Sequence, residues 1–123
     1  MRLVCAFFRA VFATNAAFAA DNAAIDRGRD YFIDECTMCH AAGAVEGGDE
    51  GPPLTGVVGR KAGTVLGFDY SKQFKASGKV WTSQALDKFL ADPSEFIQGT
   101  KMPVNVGDAK ERADLIAFLA SNP

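Results

Sequence analysis

Two thiols and one imidazole are packed into five residues, Cys36-Thr37-Met38-Cys39-His40, and a chain that carries them must present all three together. The spacing suits covalent attachment of a c-type haem, in which the thiols add to the two vinyl groups while the neighbouring ring reaches the iron. Two other chemistries use a Cys-x-x-Cys pair. A redox disulfide belongs at the start of a helix that follows a strand, whereas this pair follows a helical segment in a chain without strand-like alternation. A structural zinc site needs four ligands. His40 is the single histidine of the 123 residues and the third cysteine, Cys5, lies near the N-terminus, so Cys36, Cys39 and His40 supply three at most. One histidine also excludes the two-histidine zinc-protease helix and the three-histidine zinc centre. Haem attachment is the reading these residues favour.

Residues 1–20 are set apart from the rest. They open with Arg2, run through Leu3-Val4-Cys5-Ala6-Phe7-Phe8 and Val11-Phe12-Ala13, and reach the small-x-small pattern of Ala17-Phe18-Ala19-Ala20. This reads as a secretory signal peptide that takes Cys5 with it and leaves an exported, periplasmic domain over residues 21–123. Arg9 interrupts the apolar stretch, so an uncleaved amphipathic anchor is the alternative. The apolar run is shorter than the about 20 residues that a bilayer span needs. Cleavage removes Arg2 and Arg9 and no acid, which moves the net charge from −2 to −4. A chain without a basic surplus is a poor candidate for binding nucleic acid through its phosphates.

The rest of the chain alternates helical segments with glycine-rich loop. Asp21 or Asn22 can cap a first helix that carries Ile25, Phe32 and Ile33 and runs into the cysteine turn, with Gly28 offering another helix a close approach. Eight of the twelve glycines and the pair Pro52-Pro53 lie between Gly43 and Gly67, a long loop that must wrap something to be ordered. Asp69 or Ser71 opens a short helix closed by Gly78, and Thr82 caps another that stops near Asp92 because Pro93 follows. Asp92-Pro93-Ser94-Glu95 starts one more turn, with an N-cap, a first-turn proline and an acid at the third position. Asp108 repeats the capping pattern ahead of Leu115, Ile116, Phe118 and Leu119, which predicts an amphipathic helix over 109–121.

A second axial ligand has to approach the opposite face of the haem. Besides the initiator, the methionines are Met38, inside the attachment turn itself, and Met102, far along the chain in a Gly-Thr-Lys-Met-Pro loop. Met102 is the natural choice, with a gap-filling core methionine as the plain alternative. Its neighbour Lys101 could replace it at alkaline pH.

Taken in order, several motifs resemble class I cytochrome c of the mitochondrial type and its soluble bacterial counterparts. They are Cys36-Thr37-Met38-Cys39-His40, Gly51-Pro52-Pro53-Leu54-Thr55-Gly56, Gly59-Arg60-Lys61-Ala62-Gly63, Gly67-Phe68-Asp69-Tyr70-Ser71, Trp81, Gly99-Thr100-Lys101-Met102 and Glu111 to Leu119. The resemblance implies an all-α fold wrapped around one covalently attached haem, with the first and last helices crossing where Gly28 and Phe32 meet Leu115 and Phe118. It implies that the Pro52 carbonyl accepts a hydrogen bond from the far nitrogen of His40. It further implies that Arg60, Tyr70 and Trp81 hold the haem propionates, with Thr100 contributing to that side. Without the resemblance, Tyr70 and Trp81 read as core aromatics and Arg60 beside Lys61 as a solvated pair.

Three departures from the family pattern stand out. Thr55 replaces a histidine that ties two loops together, so a hydroxyl must remake that tether or it is lost. Phe89 replaces a tyrosine whose hydroxyl bonds the axial sulfur. Asp30, Asp34, Glu35, Glu95 and Asp108 fall where relatives often carry lysine around the exposed haem edge, with Lys101 and Lys110 left. Those acids either solvate helix ends or turn docking toward a neutral or basic partner surface. The function implied is a monomeric, soluble periplasmic one-electron carrier, not an enzyme, with His40 and Met102 on the iron and transient donor and acceptor proteins as partners. A peroxidase-like or ligand-sensing protein with Met102 displaced, and a domain permanently docked on a dehydrogenase or oxidase, are the alternatives.

Overall fold

The computed structural model describes residues 16–123. Its elements are α1 (Ala16–Glu35), α2 (Lys72–Lys75), α3 (Ser83–Ala91), α4 (Pro93–Phe96) and α5 (Ala109–Ala120). Pairing of extended backbone among these residues is limited to two isolated bridges, Ala42 with Val45 and Lys61 with Val80. The fold is all-α, as the sequence leads one to expect.

Side-chain caps set most of the helix boundaries. Ser71 Oγ accepts the Phe74 amide at the start of α2, Thr82 Oγ1 accepts Ala85 at α3, and Asp92 Oδ1 accepts Glu95 at α4. Asp108 Oδ1 takes two amides, of Lys110 and Glu111, each at 2.9 Å, so this acid is spent on opening α5. α5 ends one residue before the expected 121, with Ser121 as its C-cap.

The first helix departs from expectation. Asp21 and Asn22 do not open α1, which is already helical at Ala16. The alanines at 16, 17, 19 and 20 are the strongest helix formers and carry the helix through positions where a cap would have stopped it. Of the expected leader, residues 1–15 lie outside the described residues. Among the described residues, no helix is long and apolar enough to cross a membrane.

α1 crosses α5, and the reason lies in Gly28. A Cβ built there would collide with the Asp114 carbonyl oxygen and stand 2.6 Å from its carbon and 2.9 Å from Phe118 Cβ, so only glycine lets the two backbones come this close. One turn further on, the Phe32 and Phe118 rings meet at 5.4 Å, and Phe32 and Leu115 are the largest fully buried side chains. The expected meeting of Gly28 and Phe32 with the Leu115–Phe118 face is borne out. Polar bonds fasten the rim of the crossing: Arg27 Nε and Nη2 donate to the Asp114 carboxylate at 2.8 and 3.0 Å, and Lys110 Nζ adds a third bond at 3.2 Å. The Arg27 guanidinium, with Lys110 assisting, holds the Asp114 carboxyl below its ordinary range.

The glycine-rich stretch is bound down along its length. The Gly48, Gly51 and Leu54 amides donate to the Thr37, Cys39 and Ala41 carbonyls at 2.8, 2.9 and 2.8 Å, which folds the loop back over the cysteine turn. The Gly43 amide donates to Thr55 Oγ1 at 2.8 Å. Thr55 therefore does make a hydroxyl tether between two loops.

Candidate functional site

The cysteine turn begins where α1 ends. The Cys39 and His40 amides both donate to the Cys36 carbonyl, at 3.1 and 2.9 Å, which bends Cys36–His40 into a tight turn with both thiols on it. This pair closes a helix and does not open one, unlike the redox disulfide considered above. Both thiols are free, and Cys39 Sγ lies 3.7 Å from a Glu50 carboxylate oxygen. Burial, followed by the nearby Glu35 and Cys39, pushes the Cys36 thiol up to about 11, so it is protonated at neutral pH.

His40 is turned into the protein. Its Nδ1 lies 2.7 Å from the Pro52 carbonyl oxygen, and since a carbonyl only accepts, Nδ1 carries the proton. Burial lowers the imidazole pKa while the Pro52 carbonyl opposes that shift, and the ring is neutral at pH 7. Nε2 is left with its lone pair free for a metal. Space for the ring comes from Gly51, where a Cβ would stand 2.7 Å from Nδ1 and 2.8 Å from Nε2.

Met38 is excluded as an inward-facing ligand because it is 83% exposed. Met102 packs against the buried cluster that contains Trp81 and Phe89. Its amide donates to Thr100 Oγ1 at 3.3 Å, which occupies Thr100 locally. Lys101 Nζ donates to the Asp69 carbonyl at 2.7 Å and to its carboxylate at 3.2 Å, so this lysine is held and the Met102 loop is drawn toward the Asp69-Tyr70 segment.

The residues expected around the propionates are brought together. The Trp81 amide donates to the Arg60 carbonyl at 2.9 Å, and the Gly59 amide donates to the Trp81 carbonyl at 2.8 Å. Tyr70 stacks on Phe74 at 5.2 Å, and Phe74 in turn leans on Trp81 at 6.2 Å. The Arg60 guanidinium donates to the Pro53 and Thr55 carbonyls at 3.2 and 3.4 Å, and the Tyr70 hydroxyl accepts from the Val65 amide at 3.3 Å. Phe89 sits 7% exposed within this aromatic wall, 4.9 Å from Trp81 and 6.2 Å from Phe74. The Asp69 hold on Lys101, the Glu50 contact with Cys39 and the Asp87–Arg112 pair at 2.8 Å were not legible in the sequence. The first and last join segments 32 and 25 residues apart and the Glu50 contact depends on how the glycine-rich loop folds back, so no local pattern marks them.

The donor set fits a covalently attached haem. It offers two free thiols on one turn and, directly after them, a neutral imidazole with an open Nε2. Among the described residues no three His, Cys, Asp or Glu side chains gather to hold a metal ion, so a zinc knuckle has no fourth ligand here.

The family model for cytochrome c matches residues 25–123. The chain belongs to the cytochrome c family. It is 52% identical over 81 residues to the cytochrome c of Trypanosoma brucei brucei, covering 63% of this chain and 87% of that protein. With cytochrome c2 of Rhodomicrobium vannielii it shares 43% identity over 88 residues, or 71% and 70% of the two chains. Among solved structures, cytochrome cH from Methylobacterium extorquens aligns with a TM-score of 0.71 at 37% identity, covering 79% of this chain and 97% of that one. Cytochrome c2 from Rhodospirillum Centenum aligns with a TM-score of 0.74 at 32% identity, covering 80% and 97%. The fold is accordingly that of a class I cytochrome c. Members of this family carry one covalent haem c on a cysteine pair, and Cys36 and Cys39 are that pair here.

Proposed function

We propose that this cytochrome c is a monomeric, soluble, periplasmic one-electron carrier, exported by a leader at 1–20, in which His40 and Met102 are the two axial ligands of the iron. The observation that carries the reading is the His40 Nδ1 bond to the Pro52 carbonyl, which fixes the tautomer and leaves Nε2 as the ligand atom. When bound, the haem supplies a one-electron iron couple. The chain's own residues do the rest. Pro52 orients His40 and raises its basicity, and the soft Met102 thioether favours Fe(II) and a relatively high potential. The apolar cluster that contains Trp81 and Phe89, against which Met102 packs, would limit the access of water to the thioether. Arg60, Tyr70 and Trp81 would hold the propionates through the guanidinium, the phenol hydroxyl and the indole N–H, with Thr100 steadying Met102.

Two axial ligands leave no open position for a substrate, which supports a carrier over an enzyme. Its partners are a donor reductase or dehydrogenase and an acceptor oxidase, met through small, short-lived interfaces. The decisive experiment is a redox titration with visible spectra on haem-loaded protein and on Met102→Ala. The carrier reading expects a far-red methionine–iron band that Met102→Ala abolishes. A high-spin spectrum with rapid carbon monoxide binding in the parent protein overturns it in favour of the ligand-binding alternative.

Phe89 gives a second test. A hydroxyl introduced by Phe89→Tyr donates to the axial sulfur, withdraws electron density from it and favours the reduced state. A net hydrogen bond of about 1 kcal/mol felt by one oxidation state raises the potential by roughly 40 mV. A variant with parental potential and parental far-red band removes Phe89 from any account of the tuning.

A further inference from the structure

The loop between α4 and α5 delivers Met102, and its fixed points decide how firmly the thioether is held. On the N-terminal side, Thr100 and the Lys101–Asp69 pair steady it. On the C-terminal side, Pro103 has no amide proton, and the amides of Val104 and Asn105 find no partner among the described residues. The first anchor after Met102 is Val106, which is 3% exposed and donates its amide to the Leu90 carbonyl at 2.7 Å. Its carbonyl and that of Gly107 both accept from Arg112 Nη1, at 3.0 and 3.1 Å. Arg112 lies on α5, and its Nε donates to Asp87 Oδ1 on α3 at 2.8 Å.

We infer that Arg112, aimed by Asp87, is a positioning residue that clasps the end of the ligand loop and sets how often Met102 leaves the iron. This rests on the reading of Met102 as the sixth ligand. The guanidinium side chain is only 14% exposed, and its bond to the Val106 carbonyl is partly shielded from water and so stronger than that of a surface arginine, while its bond to the Gly107 carbonyl lies at the surface. Asp87 is half exposed, and its part is to fix the fork so that one nitrogen faces both carbonyls. Without the clasp, the C-terminal side of the loop keeps only the Val106–Leu90 bond and the burial of the Val106 side chain, and the segment between Met102 and Val106 is less firmly held. The loop then samples an open state more often while α1, α5 and the thioether links stay in place.

Imidazole added to the ferric holoprotein reads this opening directly. It binds only where Met102 has left, so the iron–sulfur bond is exchanged for an iron–nitrogen bond without change of oxidation state. Its apparent affinity scales with the open fraction. The prediction is that Arg112→Gln binds imidazole about tenfold more tightly than the parent and Asp87→Asn about threefold, the size expected for losing one or two charge-assisted bonds. Arg112→Lys, which keeps the charge but loses the fork, falls between the parent and Arg112→Gln. Arg27→Gln serves as the control: it cuts the α1–α5 ion pair and lowers global stability, yet leaves imidazole affinity at the parental value.

Imidazole affinity in Arg112→Gln within about twofold of the parent, or an equal rise in Arg27→Gln, overturns the clasp, because Arg112 would then act on stability alone. Failure of the underlying reading looks different. In that case the far-red band of the parent is absent or survives Met102→Ala, and imidazole binds the parent as tightly as Met102→Ala.

Discussion

Replacing Cys36 and Cys39 together by alanine leaves a chain with no cooperative thermal transition and little near-ultraviolet dichroism at 25 °C. The hydrogen bonds of the Gly43–Gly67 stretch are numerous, but they run mostly to the cysteine turn and to other loops. Glycine-rich backbone loses the most freedom on ordering, on the order of 1–2 kcal/mol per residue, and this stretch has few large side chains with which to offset that cost. Burial against the attached porphyrin must supply the difference, so binding energy is folding energy. α1 and α5 alone cannot hold the rest, because α2 and α4 are four residues each. The measurement is circular dichroism and thermal melting of the double variant beside the holoprotein. A native-like spectrum with a sharp transition and no haem shows that the fold stands without its cofactor.

Gly28→Ala lowers the stability of the holoprotein by about 2 kcal/mol, even though alanine is the better helix former by roughly 1 kcal/mol. The clash falls on the Asp114 carbonyl oxygen and carbon, which are backbone and cannot rotate away. The helices must separate, and that opens the fully buried Phe32–Leu115 contact and the Phe32–Phe118 pair. Gly28→Val loses more. Chemical denaturation followed through the haem absorbance gives the midpoint; for a domain of this size the accompanying fall in Tm is about 10 °C. An unchanged midpoint in Gly28→Ala means that the crossing tolerates a wider spacing and that the glycine is incidental.

The parts of this molecule written locally were legible in the sequence. Thr82, Asp92 and Asp108 each hold the amides that their capping patterns promise, and Pro93 stops α3 where a proline should. Gly28 and Phe32 were readable because a helix interior rarely spends a glycine without a packing reason. The Thr55 tether was half legible: the departure was visible, while its bond to the Gly43 amide depended on how two loops lie. The start of α1 was misread because Asp21 and Asn22 look like caps in isolation, whereas the alanines before them continue the helix. Arg112 stood in a recognised motif but had no role until Asp87 on α3 and Val106 and Gly107 in the ligand loop converged on it from two segments.

The acids expected to reshape docking divide in two. Asp108 caps α5 and is spent on the fold, whereas Glu35 lies exposed at the end of α1 beside the cysteine turn and is free to meet a partner. A mutational survey of partner choice should begin with Glu35.

The aromatic wall around Trp81 and Phe89 has one more consequence. Phe74, Trp81, Phe89 and Phe96 meet at tilted or edge-on angles, with centroids 4.9 to 6.5 Å apart. The phenyl rings carry almost no dipole and the indole is held by packing, so little in this wall has to reorient when a unit charge appears or vanishes beside it. An interior lined in this way changes its oxidation state with small nuclear rearrangement, and a carrier so built can exchange electrons quickly between donors and acceptors of nearly equal potential.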